Sequence, residues 1–240
     1  MKYKMRIVIA ILCVLTSLLI MGCISAGLSS AVSKEKLNTI KRVGIVSLLG
    51  DDIELHEHPG LFQESSRSFS VKSWEIDEYV QDIIAKEIST NPKFTVVKLA
   101  YDRNRLIKLH LNERQNYNIM IDQLSTITKE NRLDAIIAIY YIGHPKYQSL
   151  PLYLAKGELT NNVSWKVASG IYVFDGASLE KIGGSWFLHR FDQELDESYW
   201  PSSISNVDKL RFLENMFKRV LKEELLIKIE ALGFINSKDN

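Results

Sequence analysis

The 240-residue chain has two cysteines, Cys13 and Cys23, and nothing after Cys23 carries a thiol. The bulk of the protein therefore has no disulfide, no thiolate metal ligand and no cysteine nucleophile. Nor does it contain a Gly-x-Ser-x-Gly elbow, a Gly-x4-Gly-Lys-Ser/Thr phosphate loop or a Gly-x-Gly-x-x-Gly fingerprint. Charge of one sign is also lacking. Thirty basic and 29 acidic side chains leave a formal balance of +1. Without a basic surplus there is no electrostatic reason to expect nucleic acid as a partner. The longest apolar stretch, Ile7–Met21, covers 15 residues, short of the roughly 20 that span a bilayer as a helix.

What is present is ordered in a specific way. Lys2, Lys4 and Arg6 precede the apolar stretch, which ends in Leu19-Ile20-Met21-Gly22-Cys23. A basic start, a short apolar core and a small residue at the cut form the pattern of a removable signal. Residues 19–23 resemble the lipobox of bacterial lipoprotein signal peptides, with Ile20 in place of the usual leucine and the bulky Met21 after it. An uncleaved anchor, or a plain secretory signal cut after Ala26, are the competing readings. The resemblance implies cleavage before Cys23, a thioether-linked diacylglycerol on Cys23 and an amide-linked acyl chain such as palmitate. Two or more chains hold a protein firmly, because each buried methylene contributes about 0.8 kcal/mol. Position 24 is Ile, not the Asp that commonly retains such proteins in the inner membrane. The resemblance thus implies a lipid-anchored protein of the cell envelope, on the outer membrane facing the periplasm if the source is Gram-negative. Loss of Lys2, Lys4 and Arg6 would leave 27 basic and 29 acidic side chains, a balance of −2.

Residues 1–22 then form the signal peptide, 23–40 a lipidated tether whose small polar stretch is flexible, and 41–240 a single domain. The domain is large enough to be stable through its core alone. Lys41–Leu49 reads as a buried first strand and 50–72 as a long, mobile polar loop. Ile76, Val80, Ile83, Ile84 and Ile88 recur at helical spacing up to Asn91-Pro92. Phe94–Leu99 reads as a strand, Tyr117–Ile127 as a second amphipathic helix, and Asp134–Ile142 as a central strand covered on both faces. Residues 163–175 and 179–191 read as a hairpin around Asp175-Gly176-Ala177-Ser178, with Gly183-Gly184 marking a bulge. A last helix over Val207–Leu232 is capped by Gly233 and Phe234. The order specifies an α/β domain: a mixed sheet with packed helices and a long C-terminal helix.

Three pieces loosely resemble the periplasmic α/β domains of the curli secretion channel lipoprotein and the amino-terminal domain of the Tol-Pal translocation protein. They are the strand Val43-Gly44-Ile45-Val46, the helix Ile76–Ser89 leading to Phe94-Thr95-Val96-Val97, and Leu133-Asp134-Ala135-Ile136-Ile137. The stretch Pro145–Ala168 offers one alternating hairpin at most, whereas each channel subunit contributes two. That departure argues against a pore.

The densest cluster of potential metal ligands is Asp51–His58. In a strand, Glu54, His56 and His58 project to one face, and two imidazoles with a carboxylate suit a divalent ion. The spacing is not His-Glu-x-x-His and no third distant ligand is evident, so a solvated polar loop is the favoured reading. His110, His144 and His189 are isolated. No catalytic residue and no cofactor is expected. Trp200 and Tyr147 stand beside Pro201 and Pro145 in stretches read as loops, which makes them the candidate anchors for a partner surface. The favoured function is a non-enzymatic lipoprotein that binds or assembles with other envelope components, through the bilayer at Cys23 and a protein partner or a second copy. The alternatives are a metal- or small-ligand-binding lipoprotein using the Asp51–His58 segment, and an envelope hydrolase.

Overall fold

Strand β8 (Asn162–Asp175) is the spine of the molecule. The computed structural model describes residues 29–60, 63–111, 117–141, 150–156, 162–190, 195–200 and 207–235. Around β8, in chain order, are β1 (Ser29–Ser30), α1 (Lys34–Thr39), β2 (Arg42–Leu48), β3 (Asp52–Gly60), β4 (Gln63–Ser70), α2 (Ile76–Ile88) and β5 (Thr95–Val97). Then come α3 (Arg103–Leu111), α4 (Tyr117–Asn131), β6 (Ala135–Tyr140), β7 (Leu152–Lys156), β9 (Lys181–Arg190), β10 (Leu195–Asp196) and α5 (Val207–Ala231).

Along one edge of β8, Gly170–Asp175 pairs antiparallel with β6 and Val163–Val167 with β7. Its other edge carries β9 and β10. Next to β6 runs β2 in parallel, and next to β7 runs β3 in parallel. β5 and β4 close the two rows. The result is one mixed sheet in two halves: β6-β2-β5 at the carboxyl half of β8, and β7-β3-β4 at its amino half.

The continuous apolar runs of β2 and β6 follow from burial on both faces. On one face Val43, Ile45, Ile137 and Ile139 pack with Val80 and Ile84 of α2 and Phe217, Leu221 and Leu225 of α5. On the other, Val46, Leu48, Ile136 and Ala138 meet Leu106 of α3 and Met120 and Leu124 of α4. Each fully buried aliphatic side chain contributes about 1.5–3 kcal/mol. The last helix ends as the sequence predicts. Gly233 has φ +91°. Its N–H donates to Glu230 O, that of Phe234 to Ile229 O, and Phe234 is buried against the core. This is a Schellman cap.

Two expectations are corrected. Residues 50–72 are not an irregular loop: Asp52–Gly60 and Gln63–Ser70 form an antiparallel pair with Ile53 opposite Phe69 and Leu55 opposite Arg67. Ile53 and Leu55 alternate into the main core, while β4 is an edge strand with Ser65–Ser68 exposed. A polar edge strand discourages pairing with other chains, and that polarity is what disguised it in the sequence. Nor does the tether reach residue 40. Ser29 and Ser30 pair with Ser185 and Gly184, and Val32 and Ile40 are buried.

Candidate functional site

The amino-terminal segment is clasped onto the sheet by several independent contacts. The register of β8 and β9 shifts after Val173–Gly183, so that Phe174 faces Lys181 and Ile182 is the extra residue of a bulge. Next to it, Gly183 and Gly184 make room on opposite faces. A Cβ at Gly183 would lie 2.6 Å from Val32 Cγ2, and one at Gly184 would lie 2.9 Å from the Tyr172 ring. The first absence lets Val32 sit on β9. The second lets Tyr172 lie across the sheet and stack on Tyr140, with ring centroids 4.6 Å apart.

Helix α1 continues the clasp. Ser33 caps it by accepting from the Lys36 N–H. Lys36 Nζ donates to Asp175 Oδ2 at 2.8 Å, tying the helix to the β8–β9 turn. Asp175 Oδ1 accepts from the Ala177 and Ser178 N–H groups. The Lys36 hydrogen bond, together with these amides, holds the Asp175 carboxyl down at about 2, and Asp175 in turn raises Lys36. The Lys41 and Arg42 N–H groups both donate to Asp134 Oδ2 at 2.9 Å. Cys23 itself, six residues before Ser29, lies outside the described residues.

Of the metal candidates, Glu54 and His56 do share one face of β3 and are both buried. They engage each other: His56 Nε2 lies 2.8 Å from Glu54 Oε1, and Glu54 Oε2 accepts from the Leu150 N–H at 3.0 Å. The His56 ring packs on Tyr153, which Lys166 covers on the same side of the sheet. The backbone of His58 is in β3, and its side chain lies outside the described residues. No group of three potential metal ligands is assembled among the described residues.

A second polar cluster went unread in the sequence. Asp77, in the first turn of α2, is fully buried. It accepts from Ser47 Oγ, from the Leu49 N–H at 2.7 Å, from the Gly50 N–H at 3.0 Å and from Arg103 Nε at 2.6 Å. Arg103 also forks onto both oxygens of Asp51, at 3.2 and 2.6 Å. Burial alone would lower the Arg103 guanidinium, but the hydrogen bonds and charges of Asp51 and Asp77 outweigh it and hold Arg103 above its ordinary value. The Tyr101 hydroxyl, within 3.3 Å of both Ser47 N and O, is pushed up to about 12, chiefly by burial. Open α/β sheets usually bind ligands beyond the carboxyl ends of their strands. Here the chain fills that position itself, locking the bend between β2 and β3. An acidic residue in a helix's first turn is a legible signal. Its partners, 26 to 30 positions away in sequence, are not.

Trp200, expected in an exposed loop, is 1% exposed and belongs to the main core. It is corrected to a core residue. A short 3-10 turn over Glu197–Tyr199 folds it back, and its indole N–H donates to Glu57 Oε1 at 2.7 Å. Tyr147 lies outside the described residues.

No protein-family model and no curated protein matches the sequence. Among solved structures, the chain is similar to a DUF330-family protein of Xanthomonas campestris, at 7% identity and a TM-score of 0.37, over 81% of this chain and 83% of that one. It is also similar to a hypothetical protein of Chlamydia trachomatis, at 12% identity and a TM-score of 0.35, over 80% of this chain and 98% of that one. Neither likeness bears on function.

Proposed function

We propose that this chain is a bacterial envelope lipoprotein, anchored through acyl chains on Cys23, that binds or assembles with other envelope components and catalyses no reaction. The carrying observation is the order of the first 23 residues: three basic side chains, a short apolar stretch, Gly22 and Cys23. No helix among the described residues is long and apolar enough to cross a membrane. Membrane attachment, in this reading, falls to lipid on Cys23, and Ile24 directs the protein to the outer membrane where the source has one.

Mass spectrometry of protein extracted from its native membrane tests the proposal. The expected result is a mature chain that begins at Cys23 and carries diacylglycerol and a third acyl chain. Cys23→Ser should then leave the protein unprocessed. A wild-type chain cut elsewhere and free of lipid overturns the reading. Co-purification of the lipidated protein from native envelope tests the binding role.

A further inference from the structure

A tether of residues 23–40 would let the domain range roughly 60 Å from its anchor, at about 3.3–3.6 Å per residue. The fold removes most of that reach. Ser29 already pairs with Ser185, so residues 24–28 alone link Cys23 to the sheet. Fully extended, that link covers at most about 20 Å.

The clasp that shortens it is distributed. Val32 is seated over Gly183, Leu37 approaches Gly233, Lys36 pairs with Asp175, and Asp134 accepts two consecutive amides. Several contacts on separate elements must fail before the tether lengthens.

We infer that the end of the domain bearing β1 and the start of α1 is apposed to the lipid headgroup surface, with the β3–β4 pair directed away from it. This rests on lipidation of Cys23 as proposed above. Ser30, Ala31 and Lys34 are exposed at the near end. The far end follows from the register. Ser185 faces Ile171 on β8, whereas Ser65 faces Glu57, Glu57 faces Lys156 and Lys156 faces Val163. Ile171 and Val163 are separated by about 26 Å along β8. Apposition also narrows the partner class. A domain held this close cannot search across a wide aqueous gap, so its partner is itself membrane-bound or projects from the same membrane.

The mature chain has no free thiol once Cys23 is lipidated, so a single introduced cysteine can carry a fluorophore. Lys34→Cys and Ser65→Cys lipoproteins are placed in phosphatidylethanolamine–phosphatidylglycerol vesicles containing a headgroup-spin-labelled lipid, and quenching is read. Several-fold stronger quenching at position 34 than at 65 is expected. A Gly–Ser spacer of about 20 residues inserted before Ser29, with an added reach of about 25 Å, should abolish the difference. Equal quenching at both sites in the unextended protein, or a difference indifferent to the spacer, overturns the inference. Intact mass on the same samples separates the two failures. Absence of lipid on Cys23 sinks the proposed function and this inference with it. Lipid present without the gradient sinks the inference alone.

Discussion

Trp200 donates its indole N–H to the Glu57 carboxylate at 2.7 Å while its ring is sealed in the main core. The pair fixes the turn after β10 against β3, elements 143 positions apart in sequence. A residue that looks like a loop aromatic beside a proline is therefore a packing residue with a polar handle.

Trp200→Ala should destabilise the domain by about 3–5 kcal/mol, the usual cost of emptying a buried aromatic site. Trp200→Phe keeps most of the volume and loses the hydrogen bond, a loss of about 1 kcal/mol. Urea unfolding of the two variants checks the order. A Trp200→Ala protein as stable as the wild type would place Trp200 outside the core.

Asp77 is a buried carboxylate with four donors, so its removal leaves the Leu49 and Gly50 amides and part of Arg103 without their acceptor. Asp77→Ala should cost about 3–5 kcal/mol, as expected when one partner of a buried ion pair is deleted. Arg103→Ala should cost less, since Arg103 is partly exposed. The double variant should be more stable than the sum of the single losses implies, because the two side chains share one interaction. Additive losses in a double-mutant cycle would show that the two groups act independently.

Gly183→Val places a side chain where Val32 now sits. Overpacking of this kind costs about 1–3 kcal/mol. Here the strain is relieved most readily by undocking of β1 and α1. Limited proteolysis should therefore cut within residues 31–40 of the variant under conditions that leave the wild type intact. Unchanged protection would mean that Val32 repacks in place.

Asp175 supplies a pH-dependent part of the same clasp. Its folded value of about 2 lies below the ordinary 3.8. Its contribution is thus fully present above about pH 4 and is lost as pH falls toward 2. Lys36 is raised, so its side of the pair persists at neutral pH and is lost only above its ordinary alkaline range. The protection of the α1 amides, taken relative to intrinsic exchange at each pH, should fall in the acid window in the wild type. In Asp175→Asn, protection should already be lower at pH 7 and should change less with pH. Half of the Lys36 side chain is exposed, so added salt should weaken the difference.

The local patterns of the sequence determined a good deal. Val43–Leu48, Ser47 apart, and Ala135–Tyr140 are continuous apolar runs, which require cover on both faces, and α2, α3, α4 and α5 provide it. The helical spacing of Ile76, Val80, Ile84 and Ile88, the turn at Asp175-Gly176 and the cap at Gly233 all carry their instructions within a few residues. Tertiary structure alone decided the rest. β4 holds one large apolar residue, Phe69, and becomes a strand because β3 offers it an edge. Glu54, His56 and Asp77 look like solvated groups until distant elements bury them and occupy their hydrogen bonds. Val32 and Ile40 are too sparse to signal a folded segment, and they are buried because Gly183 leaves a gap in β9 that one of them enters. Periodicity reports how a segment distributes its own apolar surface. Whether a polar or isolated residue is buried depends on partners that only the assembled sheet supplies.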